Sequence, residues 1–252
     1  MFLTMELNHS SNFTHQEPSE KYSHERHKVL VSVEIVLFTI RNGIFEVLVR
    51  KRNSPPFLDF WELPGGLIRI DIGKRGESAD DTALRELNRA AGLTGDSLRY
   101  LEQLGTYGDP DRDPRDERTI AIAYIGIGAN VAEPPEQNGA SFLPVSYVED
   151  ELLNKLAFDH STILSDAISK TRMGVEYSRL AAGFCPSSFT ISELRHTHET
   201  ILEKKLDPGN FQKKVLAAEG YLTEAGESER VSPTRGRPAK LYNAAPRFNL
   251  GS

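Results

Sequence analysis

Apolar positions along the chain change their spacing twice. Val29 to Ile40 is a mostly β-branched apolar run, and Ile44 to Arg50 is a second one. Arg41-Asn42-Gly43 stands between them, so the pair predicts a β-hairpin with an Asn-Gly corner. WELPGG, residues 61–66, reads as a loop. From Ser78 to Ala91 the spacing becomes helical, with Ala83, Leu84 and Leu87 on one side and Gly92 as the stop. Leu98 to Tyr107 and Thr119 to Ile127 predict two further strands around the charged loop GDPDRDPRDER. Helices follow around Tyr147–Lys155 and Ser161–Arg172, with Asp159 as N-cap of the second. Residues 28–172 therefore read as one α/β or α+β sandwich.

Residues 173–186, with Gly174, Gly183 and Pro186, read as a connector and as the place where motion between two units is absorbed. Beyond it the pattern is that of a small helical domain, residues 187–247. Thr190-Ile191-Ser192-Glu193 is a capping box opening a helix to about Leu202. Asp207-Pro208 opens a second helix, closed by Glu219-Gly220. Tyr221-Leu222-Thr223 and Ala239 to Tyr242 predict two short strands around a tip rich in Gly, Ser, Pro and Arg. Helix, tight turn, helix and ribbon is the order of a winged helix-turn-helix.

In the second helix Phe211, Val215 and Leu216 line one face, and Asn210, Lys213 and Lys214 the other. Such a helix suits the major groove of DNA: Asn pairs bidentately with adenine, and Lys reaches guanine or phosphate. Arg235 and Arg237 in the tip, with Lys240 beside it, suit the minor groove or flanking phosphates. Exposed lysines most often serve only solvation, so the charge distribution matters. The net charge of −6 divides unevenly: from Phe189 onward 10 basic residues outnumber 8 acidic ones. Arg230 to Arg247 holds five basic residues and no acidic one. A basic tail behind an acidic front points to different partners for the two halves.

Composition narrows the class. The 252 residues are 38% hydrophobic and 26% charged, typical of a protein that buries a sizeable core. No apolar run reaches the roughly 20 residues of a membrane helix. Residues 1–27 are polar, lack a signal-peptide pattern and read as a flexible arm. Cys185 is the only cysteine, which excludes an intrachain disulfide. The expected location is cytoplasmic, with the nucleoid.

WELPGG, GES and RELNRAAGL, in that order, resemble the Nudix box, whose pattern is G-x5-E-x7-R-E-U-x-E-E-x-G-U. Glu77, Arg85-Glu86-Leu87 and Gly92-Leu93 fit it. Ten residues separate Gly66 from Glu77 where the pattern has five, and Arg89-Ala90 replace its Glu-Glu pair. Nudix hydrolases break pyrophosphate bonds with hard divalent cations, which need oxygen ligands. Only Glu86 remains of the usual set on this helix, and Arg89 adds a repelling charge. The expectation is a Nudix sandwich with no catalytic residue, metal or cofactor, in which Glu77 and Arg85 pair to hold loop to helix. The pocket remains suited to an effector. Gly65 and Gly66 admit phosphate to backbone N–H groups, with Arg50 and Arg52 nearby. Trp61 is a candidate base-stacking platform, and Arg85, Glu86, Arg112 and Arg115 complete the set.

From about residue 28 to residue 245 the chain resembles the Nudix-related transcriptional regulators, the NrtR family. Beyond the degenerate box the resemblance rests on YGDPDRDPR, LAFDHSTIL, FTISELR and GRPAKLY. It implies an α/β Nudix sandwich followed by a winged helix-turn-helix domain, acting as a homodimer on double-stranded operator DNA. It also implies repression of genes of NAD synthesis or salvage, relieved by ADP-ribose or a related NAD metabolite. Two alternatives remain open at this point: an active Nudix ADP-ribose pyrophosphatase with an accessory domain, and a sugar-sensing regulator of the same architecture.

Overall fold

The computed structural model describes residues 28–70, 76–115, 117–177, 180–227 and 239–244. The first strands, β1 (Val29–Arg41) and β2 (Ile44–Lys51), form the expected hairpin. Its corner residues Asn42 and Gly43 both take positive φ, which is why Asn-Gly suits the turn. β1 is the centre of a seven-stranded sheet and is buried on both faces. Val33, Ile35 and Leu37 point to one apolar layer, Val36 and Phe38 to the other.

Around β1 stand β3 (Trp61–Glu62), β4 (Gly65–Leu67), β5 (Tyr100–Tyr107), β6 (Arg118–Ala129) and β7 (Ala140–Pro144). The path is β3-β2-β1-β6-β5, with β4 on β1 and β7 on β2; among the described strands, β1 and β6 are the pair that runs parallel. WELPGG is thus two short strands around Leu63-Pro64 rather than a loop. β7 has no counterpart in the sequence expectation either. Both are short edge pieces whose hydrogen bonds come from β1 and β2, not from a pattern of their own.

One face of the sheet is covered by α1 (Ala79–Ala91). Ser78 and Asp81 form a capping box, and Gly92 closes the helix at φ 67°. The other face carries α2 (Val145–Tyr147), continued by a π-turn at Val148–Leu152 and a 3₁₀ turn at Leu153–Lys155, and then α3 (His160–Tyr177). The Asp159 carbonyl starts α3, accepting from the N–H groups of Thr162 and Ile163, while its carboxylate is held elsewhere.

The expected connector is not an open linker. α3 runs on to Tyr177, and the 3₁₀ turn Leu180–Phe184 is buried throughout. Gly174 lies against the Leu180 side chain, where a Cβ would collide. The winged helix follows as α4 (Ile191–Leu202), capped by Thr190 and Glu193, then α5 (Pro208–Ala217), capped by Asp207. The ribbon is β8 (Leu222–Glu227) and β9 (Lys240–Ala244), extended by Phe189, which exchanges both backbone hydrogen bonds with Tyr242. One apolar cluster runs from Phe38 and Phe45 through Phe184 to Phe189, Leu194 and Phe211. The two halves share a core. The proposed arm, residues 1–27, lies outside the described residues.

Candidate functional site

β1, β2, β4 and the start of α3 enclose a cavity of about 140 Å³. Of the residues expected to bind an effector, Arg50, Arg52, Gly65, Gly66, Arg112 and Arg115 line it. Each arginine is oriented by a carboxylate. Glu62 takes both Arg50, at 2.6 Å, and Arg52. Arg112 grips Asp159 through two bonds of 2.8 and 2.7 Å. Arg115 does the same to Asp113. Arg52 and Arg115 also lie over the Phe158 ring, at 4.7 and 5.4 Å. Four guanidinium groups against three carboxylates leave one positive charge in excess. The Nε of Arg50 is buried with no hydrogen-bond partner, which leaves a donor in the cavity wall for a ligand or water.

Two lining residues that sequence reasoning did not single out set the electrostatics. Burial pushes the Glu34 carboxyl up to about 8, with Ser32 and Arg112 offsetting only part. Burial, and then the charges of Arg112, Arg52 and Arg50, push His160 down to about 3. The His160 Nδ1 accepts from the Leu63 N–H at 3.0 Å, so the neutral ring carries its proton on Nε2, 3.7 Å from Glu34. Near neutral pH both groups are predominantly uncharged. An anion entering meets the excess guanidinium charge and no opposing Glu34 carboxylate. Gly65 is required here, because a Cβ would overlap the Glu34 carboxylate.

A second cavity of about 580 Å³ adjoins the first, sharing Arg112 and Phe158. Phe57, Tyr107 and Thr162 line it together with Asp109, Asp111 and Asp159. Aromatic surface beside carboxylates suits a nucleoside, whose base stacks and whose hydroxyls donate.

Three expected effector residues lie elsewhere. Trp61 is half-buried against the core, with Lys51 5.2 Å over its ring, and does not line either cavity. Arg85 and Glu86 sit on α1, across the Gly65–Gly66 backbone: a Cβ on Gly66 would meet Glu86, as one on Gly65 meets Glu34. Arg85 clasps Glu77 at 2.8 and 2.9 Å, the expected tie between loop and helix, and also bonds Glu86.

On the winged helix, Asn210, Lys213 and Lys214 are exposed along α5, and Phe211 and Val215 are buried beneath. Leu216 departs from expectation, being 48% exposed. The helix spans only ten residues, so its buried face is narrow and Leu216 lies past its edge. Lys240 pairs with Glu224 across the ribbon at 2.8 Å. Arg235 and Arg237 lie outside the described residues.

Residues 29–166 match the profile of the NUDIX domain, and residues 181–244 that of the NrtR DNA-binding winged helix domain. The chain belongs to the NrtR family. It is 27% identical over 216 residues to the ADPR responsive transcriptional repressor NtrR of Acinetobacter baylyi, spanning 86% of this chain and 82% of that protein. Shewanella oneidensis NrtR superposes with a TM-score of 0.71 at 28% identity, covering 87% of this chain and 95% of that one. Its complex with a 27mer DNA gives 0.68 at 29% identity, over 85% and 93%. The ADP-ribose pyrophosphatase of Methanocaldococcus jannaschii is 33% identical over 131 residues, half of this chain and 69% of that protein.

Among the described residues, the side chains of α1 do not fit a divalent cation. Glu86 is 3% exposed and its two oxygens are bound by Arg85 and Arg89. Ala90 is 3% exposed and packs in the apolar layer under α1. Among the described residues no three His, Cys, Asp or Glu side chains are grouped to hold a metal. Among those residues, too, no helix is long and apolar enough to cross a membrane. The sequence did hold a signal for the missed cavity residues: Glu34 is a lone acid inside an apolar strand, and His160 lies within LAFDHSTIL.

Proposed function

We propose that this chain is a ligand-responsive transcriptional repressor of NAD-metabolism genes. In this reading ADP-ribose or a related nucleotide binds the Nudix domain and releases the winged helix from double-stranded operator DNA. The observation that carries the reading is the coexistence, on one shared core, of an arginine-lined cavity and a helix presenting Asn210, Lys213 and Lys214. Arg50, Arg52, Arg112 and Arg115 receive the phosphates, and the adjoining aromatic cavity receives the nucleoside. The names of its relatives support both partners: an ADPR-responsive repressor, and an NrtR crystallised with DNA. The working unit is a cytoplasmic homodimer, since paired recognition helices read half-sites about one helical turn apart.

The chain is not an efficient hydrolase in this reading. Likeness to a pyrophosphatase covers only the Nudix half, and Arg89 and Ala90 stand where metal-binding carboxylates are needed. Operator titration with and without saturating ADP-ribose tests the proposal. Allosteric couplings are typically about 1–3 kcal/mol, so release should be roughly 5- to 150-fold. Hydrolysis of ADP-ribose to AMP and ribose 5-phosphate at about 10 s⁻¹, an ordinary enzyme rate, with operator affinity unchanged, would establish the pyrophosphatase instead.

A further inference from the structure

We propose that Arg89 is a built-in substitute for the divalent cation of the Nudix helix, so that this chain excludes metal there and binds its nucleotide effector without it. The effector half of this statement rests on the function proposed above; the metal half does not.

The geometry is specific. Arg89 Nε donates to Glu86 Oε2 at 2.6 Å, and Nη2 reaches the same oxygen. That Nη2 also donates to the backbone carbonyl of Gly65 at 3.1 Å. A carboxylate and a backbone carbonyl are the oxygen types that a hard cation takes. Here one planar guanidinium bridges them, and Arg85 binds the other carboxylate oxygen. Glu86 is buried and has both oxygens satisfied, as a buried carboxylate must. A dication entering would have to displace a cation already paired with the same ligands. A lysine would keep the charge but lose the planar pair Nε and Nη2 that holds the Glu86 oxygen from two sides while Nη2 reaches the Gly65 carbonyl.

The bridge also bears on the cavity. Gly65 and Gly66 form one strip of backbone with Glu34 on one side and Glu86 on the other. Arg89 fastens this strip to α1 through the Gly65 carbonyl, as Arg85 does through the Leu67 carbonyl at 3.0 Å. Arg89 is therefore a positioning residue for the glycines that line the effector cavity.

The test uses the full chain. Binding of Mn²⁺ is followed by electron paramagnetic resonance and by thermal unfolding, and binding of ADP-ribose by calorimetry in EDTA and in Mg²⁺. Wild type should bind no Mn²⁺ in the millimolar range, gain no thermal stability from it, and bind ADP-ribose equally in both buffers. Arg89→Ala should gain Mn²⁺ binding, visible as an unfolding temperature that rises with Mn²⁺. Its ADP-ribose affinity in EDTA should fall about tenfold, the scale of one charge-assisted hydrogen bond, and recover in part with Mg²⁺. Arg89→Lys keeps the charge and should still exclude Mn²⁺ while losing ADP-ribose affinity. Mn²⁺ binding by wild type that Glu86→Gln abolishes, or a tenfold loss of wild-type ADP-ribose affinity in EDTA, would overturn the proposal. So would a folded Arg89→Ala that neither binds Mn²⁺ nor loses ADP-ribose affinity. If Arg89→Ala does not fold, the wild-type arms decide. If ADP-ribose binds in neither buffer, the proposed effector is wrong, and the Mn²⁺ arms still decide the role of Arg89.

Discussion

Glu34 and His160 titrate in opposite senses, and the consequences for stability are opposite too. The Glu34 carboxyl is raised from 4.5 to about 8 by burial. Between those values the unfolded chain has lost a proton that the folded chain keeps. Its contribution is complete below 4.5 and is lost as pH rises through 8. His160 is lowered from 6.5 to about 3, so its contribution is present above 6.5 and is lost as pH falls toward 3. From 6.5 to 8 only Glu34 acts, and stability should fall with rising pH by at most about 1.4 kcal/mol per unit, the value of one proton. Glu34→Gln should flatten that slope in urea titrations across the window. An unchanged slope would assign the proton to another group. Glu34 was legible only as an oddity, an acid in an apolar strand. Its neutral state comes from burial, reinforced by the charges of Glu62 and Asp159 and opposed by Ser32 and Arg112, residues that come from distant parts of the chain.

At the scale of the element, local chemistry was readable and borrowed structure was not. The Asn42-Gly43 corner, the Thr190 and Asp207 caps and the Gly92 stop stand where the sequence put them, because each is decided within a few residues. β3, β4 and β7 escaped notice because their hydrogen bonds belong to β1 and β2. Helix α1 shows the limit of motif reading. Its pattern marks Ala90 as a missing ligand, but in the fold Ala90 belongs to the apolar layer with Ala83 and Leu87. Ala90→Glu should thus bury a carboxylate and destabilise the chain by about 1–3 kcal/mol or more, read as a lower urea midpoint at unchanged slope. A neutral or stabilising result would mean that the side chain escapes to solvent. On α5, Lys213 is exposed and Phe211 anchors the helix from below. Lys213→Ala should weaken operator binding by about 1–3 kcal/mol with specificity relaxed at one position. A loss shared by all sequences would make it a phosphate contact instead.

Across the whole molecule, the question is how a nucleotide in the cavity reaches the winged helix. The segment 173–186 looked like a hinge because it contains two glycines, but Val175, Leu180, Phe184 and Cys185 are buried in it. A packed segment transmits displacement rather than absorbing it. The hairpin β1–β2 spans the distance directly. Arg50 and Glu34 stand at its cavity end, while Phe45 near its corner meets Phe184 edge-on at 5.8 Å and Phe38 at 5.0 Å. Arg172 of α3 adds a polar tie, bonding Glu149 through both nitrogens at 2.9 Å and lying 3.6 Å from Glu203 at the end of α4. On the function proposed above, a shift of the cavity wall would move the contact with the winged helix, and in the proposed dimer a small rotation would break the roughly 34 Å half-site spacing. Phe45→Leu keeps an apolar side chain and removes the aromatic contact, at a cost of about 0.5–1.5 kcal/mol. It should leave ADP-ribose affinity as in wild type, because Phe45 does not line either cavity. The ADP-ribose-induced release of operator should shrink severalfold, since the two ends of the hairpin are no longer rigidly joined. Calorimetry and operator titration on the same preparation separate the two effects. Undiminished release from this variant would move the coupling to α3 and its Arg172 tie.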